Sequence, residues 1–233
     1  MLARAHRRLD PGTSVVVVLR AVTADAAINW VVGGGFEVLD ATADGEGTRV
    51  EAMRIPSVPD TVGPGMRLLV CGLNPSLHAA ETGVGFSRPG NRFWPAALVA
   101  GLVTRDRDPD HALHVHGIGM TDLAKRATGA VSELRPEELR AGRVRVERLV
   151  ARLSPTAVCV VGLTGWRTTV GREAEAGWQP VRWGGRPVYV MPSTSGRNAH
   201  QRLADLAGHL RAALDRPPDG AGTSGSVSPG PPR

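Results

Sequence analysis

The chain has 233 residues, 42% of them hydrophobic, a formal charge of +6 and two cysteines, which suits one catalytic-size domain with a small appendage. Two thiols are too few for the four-thiolate site of an iron–sulfur cluster, and no apolar run approaches the ~18 residues of a membrane span. The basic start, MLARAHRRLDPG, lacks the apolar stretch of a secretory signal, so a cytoplasmic protein, nucleoid-associated if bacterial, is expected.

In chain order, residues 13–20 (TSVVVVLR) read as a strand after the Asp10-Pro11-Gly12 turn. Residues 24–32 suit a short helix ended by three glycines. Residues 36–43 and 49–54 then form a hairpin around Asp44-Gly45-Glu46-Gly47. Residues 55–65, rich in Pro and Gly, read as a linker.

A buried strand follows at 68–72, and a helix is expected over about 91–102, with Pro95 tolerated only in its first turn. Residues 118–123 read as a short strand or loop. Pro136 opens the clearest helix, with Leu139, Val146, Leu149, Val150 and Leu153 at helical spacing. Strands over 156–161 and 188–191, a short helix over 164–170 and an amphipathic helix over 201–214 complete the pattern. From Pro217 the composition is that of a disordered tail. Strands alternating with helices predict a mostly parallel sheet covered on both faces, an α/β fold. The expected organisation is an appendage over 1–55, a main domain over 56–215 and the tail over 216–233.

Charge is uneven. Residues 1–59 hold 6 basic and 7 acidic side chains, whereas residues 60–215 hold 20 and 14. A basic patch on the main domain would suit phosphate contacts, but 27 of the 28 basic residues are arginine, which GC-rich coding alone could produce. Cys71 and Cys159 lie in apolar runs and read as reduced core thiols. His111, His114 and His116 form an HxxHxH cluster, but no acidic or thiol ligand stands at a fixed spacing to it, so no metal and no cofactor are expected.

The informative stretch is 67–94, RLLVCGLNPSLHAAETGVGFSRPGNRFW, where a buried strand breaks into a polar turn and a glycine-bearing loop. Open α/β sheets bind ligands at such strand ends. The groups displayed are the Asn74 amide, the Phe86 ring and the Pro89-Gly90 turn, which suit a flat uncharged heterocycle better than a phosphate or a metal.

GLNPS at 72–76, GVGFSRPGNRFW at 83–94 and MPSTSGRNAH at 191–200 resemble the mismatch-specific uracil/thymine-DNA glycosylase family. GIGMTDLAKRAT at 117–128 and ELRAGRVRVERLV at 138–150 are similar to it in order and spacing, over roughly 56–214. The resemblance implies a three-layer α/β/α glycosylase domain and excision of uracil, or of thymine and modified pyrimidines, opposite guanine in double-stranded DNA. A monomer is expected. It implies that Asn74 positions the attacking water and that Phe86 stacks on the flipped base. Gly72, Leu73 and Thr128 would border the base. Ser193, Ser195, Gly196 and Asn198 would meet the DNA, and Arg197 would fill the gap left by the extruded nucleotide.

Three residues depart from the family pattern. Ser76 stands where Gly is usual and reads as tightening the turn. Ser193-Thr194 replaces Asn-Pro, as in vertebrate thymine glycosylases. Met191 stands where fast uracil-only families place a His. The one lysine, Lys125, lies outside the catalytic motifs, which favours water over a Schiff base. Two other readings stand beside this one: a lesion-binding DNA module without useful catalysis, and a methyltransferase-related protein. The strand–helix–hairpin order of 1–55 resembles the C-terminal end of class I methyltransferase domains, but no glycine-rich cofactor loop precedes it.

Overall fold

The computed structural model describes residues 1–171, 173–196 and 201–215. A short helix, α1 (Leu2–His6), leads into β1 (Ser14–Arg20), α2 (Ala24–Gly33), β2 (Phe36–Asp44) and β3 (Gly47–Arg54). In space the strands run β1-β3-β2, so the second hairpin strand lies between the other two and is antiparallel to both. One face of this sheet closes on α2 through Val17, Ala27, Val31, Phe36 and Val50.

The main body follows as β4 (Leu68–Gly72), α3 (Leu77–Thr82), α4 (Phe93–Val99), α5 (Pro109–His116), β5 (Ile118–Asp122), α6 (Pro136–Leu153), β6 (Ala157–Val161), α7 (Leu163–Thr169), β7 (Gly177–Trp183), β8 (Arg186–Met191) and α8 (Leu203–Leu214). Its sheet runs β5-β4-β6-β8-β7, parallel except for the edge strand β7. Strands buried on both faces read as continuous apolar runs, as LLVC and AVCVV do here. Alternate residues supply two cores. Leu68, Val70 and Cys159 pack under α4, α5 and α8, and Leu69, Cys71 and Val158 pack under α6 and α7. The result is the expected three-layer α/β/α fold with a small α+β appendage.

Several elements differ from the sequence expectation. The helix expected over 91–102 is shorter, because the chain turns out at Gly101, whose φ of 70° suits glycine. The sequence expectation held no helix over 109–116, where Asp108 caps α5 by accepting from the His111 N–H at 2.9 Å, with Pro109 opening the helix. Ser76 does not merely tighten a turn. Its hydroxyl accepts from the Ala79 N–H at 3.1 Å and caps α3.

The stretch over 55–65 is a strap bonded to α2 on one side and to β5 on the other, not a free linker. Asp60 N–H donates to Gly33 O at 2.7 Å, and Thr61 pairs with Met120 in both directions. The appendage docks further through α2 on α6, with the Arg152 guanidinium 3.7 Å over the Trp30 ring and Asp25 3.2 Å from Arg148.

Candidate active site

The site forms where three parallel strands end. Gly72 and Asp122 are register partners at the carboxyl ends of β4 and β5, and the segment after β8 lies across from them. Leaving β4, the chain turns at 73–76 into α3. Leaving β5, residues 123–128 run alongside that turn in the same direction. Leu123 N–H donates to Gly72 O at 2.9 Å, Ala124 N–H to Leu73 O at 2.9 Å, and Thr128 N–H to Pro75 O at 3.2 Å. Gly142 makes this packing possible, since a Cβ there would sit 2.0 Å from Leu123 O.

The Asn74 amide is held from its nitrogen side. Nδ2 donates to Pro75 O at 3.0 Å, Arg126 O at 3.1 Å and Thr128 Oγ1 at 2.8 Å. Two of these partners are carbonyls, which only accept, so the amide cannot be flipped. Thr128 in turn donates to Ala130 O at 2.9 Å, which leaves its oxygen as acceptor for Asn74. Oδ1 has no partner among the described residues. Asn74 borders a cleft of about 430 Å³ shared with Ser76, Arg88, Thr128, Ser193 and Ser195.

Phe86 lies on the other side of Gly72. A Cβ on Gly72 would stand 3.1 Å from Phe86 Cζ and 2.3 Å from Asp122 Oδ1, so glycine lets ring and carboxyl converge over the strand end. Phe86 adopts φ 59°, an outlier for a bulky residue, and strain of that kind collects at ligand sites. One face of its ring stacks on Phe93, with centroids 4.4 Å apart. Between Phe86, Asp122, Thr121, Met120 and Val58 remains a nook of about 10 Å³, room for at most a water.

Asp122 was not among the residues singled out from the sequence. It is 8% exposed, and its side chain makes no hydrogen bond to the described residues. Burial pushes its carboxyl up to about 6, with Lys125 opposing, Asp60 adding to the rise and Arg145 opposing. The available signal was a lone carboxylate ending an apolar strand that pairs beside the motif-bearing one.

The segment after β8 is tied to the start of α4. Arg92 N–H donates to Thr194 O at 2.9 Å, and the Arg92 guanidinium donates to Gln201 O and Ser195 O. Ser195 N–H donates to Ser193 Oγ at 3.2 Å, and Gly196 is exposed beside Gly90. Asn74, Thr128, Ser193 and Ser195 therefore share one cleft, whereas Gly72 and Phe86 lie behind it with Asp122. Arg197 and Asn198 lie outside the described residues.

Lys125 is 3% exposed, with Nζ donating to Asp60 and to Val58 O. His111 and His116 both lie on α5, with rings 5.2 Å apart, and among the described residues no group of three metal-ligating side chains gathers. Burial pushes the thiol of Cys159 up to about 12 and that of Cys71 higher still, where Asp122 adds to it. No described helix is long and apolar enough to cross a membrane.

A family model, the uracil DNA glycosylase superfamily, matches residues 59–215. The chain belongs to that superfamily. The superfamily's reaction is hydrolysis of a base–sugar bond in DNA, and the matched residues begin in the strap and run through the main body. A solution NMR structure from Methanosarcina acetivorans, of a protein provisionally described as a uracil DNA glycosylase, is similar to it. The two are 20% identical with a TM-score of 0.46, over 66% of this chain and 95% of that one.

Proposed function

We propose that this protein is a monofunctional glycosylase that excises uracil from G·U mismatches, with thymine opposite guanine and modified pyrimidines as further substrates, acting as a monomer on double-stranded DNA. The observation that carries the reading is the Asn74 amide, pinned through its nitrogen, with its oxygen unpartnered among the described residues at the cleft.

An amide takes no proton near neutral pH, so Asn74 orients the attacking water without acting as a strong general base. Extrusion of a nucleotide costs a few kcal/mol and is cheapest for a mispaired base, so a mismatch substrate compensates for modest catalytic groups. Phe86 stacks on the flipped base, a contact worth about 1–3 kcal/mol. The base reaches it once the Phe86–Asp122 nook widens. Main-chain groups of Gly72 and Leu73 border the base, and each carbonyl, though it already accepts one main-chain N–H, keeps a second lone pair. Asp122 faces the base edge: protonated, it donates to a pyrimidine carbonyl and eases departure of the base as an anion. Ser193, Ser195 and Gly196 contact flanking phosphates, with Arg88 beside them. Arg197 enters the gap in the duplex, and Asn198 meets DNA next to it. Burial and pairing of Lys125 argue against a Schiff base.

The test is a labelled duplex carrying one G·U, G·T or A·U pair, incubated with the protein and then heated in alkali. Scission is expected at G·U first, more weakly at G·T and least at A·U. Scission without alkali would overturn the monofunctional mechanism. Binding without scission in any duplex would make the protein a lesion-recognition module.

Thr128→Val keeps the shape of the side chain but removes the acceptor for Asn74 and the bond to Ala130. At about 1 kcal/mol for such a bond, excision at G·U should slow roughly five- to tenfold in single turnover with duplex affinity unchanged. An unaltered rate would show that the two carbonyls suffice to hold Asn74.

A further inference from the structure

Behind the site lies a buried charge cluster that the reaction, as derived above, does not use. Asp60 comes from the strap, Lys125 from the segment after β5 and Arg145 from α6, and their side chains are 6%, 3% and 8% exposed. Asp60 Oδ1 accepts from Lys125 Nζ and Thr121 Oγ1, both at 2.7 Å, and Oδ2 accepts from Arg145 Nη1 at 2.7 Å. Arg145 Nη2 also donates to Thr121 Oγ1 at 2.8 Å and to Asp122 O at 2.7 Å. Buried ion pairs contribute little net stability over well-packed apolar groups. Here the pairs tie the strap, the segment after β5 and α6 to one another.

These ties fall on one segment. Arg145 pins its start at Thr121 and Asp122, and Lys125 pins its middle to the strap, which also accepts from Ala127 N–H through Pro56 O at 2.9 Å. The same segment presents the Asp122 carboxyl on one side of Gly72, and Arg126 O and Thr128 Oγ1 to Asn74 on the other. Both halves of the site therefore hang on the cluster.

We propose that Asp60, Lys125 and Arg145 form a positioning unit that locks residues 121–128 against the end of β4 and balances the charge of Asp122. The proposal rests on the glycosylase reading of that site. Among the described residues, the ionisable groups facing Asp122 are Asp60 from the strap, Lys125 from its own segment, Arg145 from α6 and Cys71 from β4. Burial raises the carboxyl of Asp60, and the Arg145 and Lys125 cations more than offset this, so it stays below the usual carboxylate range. Loss of the Lys125 cation removes an attraction from the Asp122 carboxylate. Loss of the Asp60 charge removes a repulsion and frees two cations. The two substitutions break the same network but push Asp122 in opposite directions, which a merely structural role would not do.

The experiment follows the Asp122 carboxyl carbon by NMR titration, together with single-turnover excision at G·U, in the full chain. In Lys125→Met, Asp122 should titrate higher, and in Asp60→Asn lower, each by about one pH unit. Excision by Lys125→Met should fall on the order of 10²-fold with duplex affinity unchanged, and Lys125→Arg should recover most of it. Where a single variant fails to fold, the pair Asp60→Asn/Lys125→Met removes both charges together. It should restore a near-native Asp122 titration yet remain slow. Titrations that move in the same direction or not at all in folded variants, or native excision by the double variant, would overturn the proposal. If the native chain excises nothing while the titrations still move in opposite senses, the glycosylase reading falls and the charge-balancing unit stands.

Discussion

Asn74→Ala is expected to lower single-turnover excision of uracil from a G·U duplex on the order of 10²- to 10³-fold while leaving duplex affinity within a few-fold. The argument starts from the nitrogen of the amide. Its three acceptors at 2.8–3.1 Å leave no rotamer that points Nδ2 into the cleft, so Oδ1 is the atom left to hold a water there. Alanine removes that acceptor and touches none of the groups that would bind phosphate.

Asn74→Asp should fare no better, although it offers a stronger base. Its second oxygen would face Pro75 O and Arg126 O, two acceptors where donors are needed, so the carboxylate would have to rotate or protonate. If Asn74→Ala kept the native rate, Asn74 would be a turn residue that happens to precede a proline.

Much of this arrangement was legible in the sequence, for a physical reason. Parallel strands buried on both faces must be apolar throughout, so LLVC and AVCVV announced themselves, and the polar break after Gly72 marked the strand end. What stayed hidden depends on partners remote in sequence. Asp122, at the end of the short 118–123 segment, gains its meaning only when Gly72, its register partner, brings Phe86 beside it. Asp60, Lys125 and Arg145 lie in a strap, a loop segment and a helix, and nothing local says that they meet. β7 was missed because Pro180 interrupts it, which a strand tolerates only at a sheet edge, where β7 lies. α5 could have been read from Asp108-Pro109, a cap followed by a first-turn proline.

Asp122→Asn should stabilise the fold, and only on the alkaline side. Burial holds the carboxyl at about 6, above its ordinary 3.8, so the folded chain favours the protonated form. Such a group contributes stability that is fully present below the unfolded value and lost as pH rises through the folded one. Charging it in place then costs on the order of 3 kcal/mol. An amide carries no such cost, and no hydrogen bond to the described residues is lost with the carboxyl.

Urea unfolding should therefore give matching stabilities for the two proteins near pH 4, a gap opening between pH 4 and 6, and a constant advantage for the variant above that. Excision should separate them in the same window. In the native chain it slows as pH rises through about 6, because a charged carboxylate repels the departing anionic base, whereas Asn donates at every pH and gives a flat profile. A variant less stable than the native chain at pH 8 would mean that Lys125 and Arg145 hold Asp122 ionised. The cluster's cations would then outweigh burial, and Asp122 would read the base as an acceptor instead of a donor.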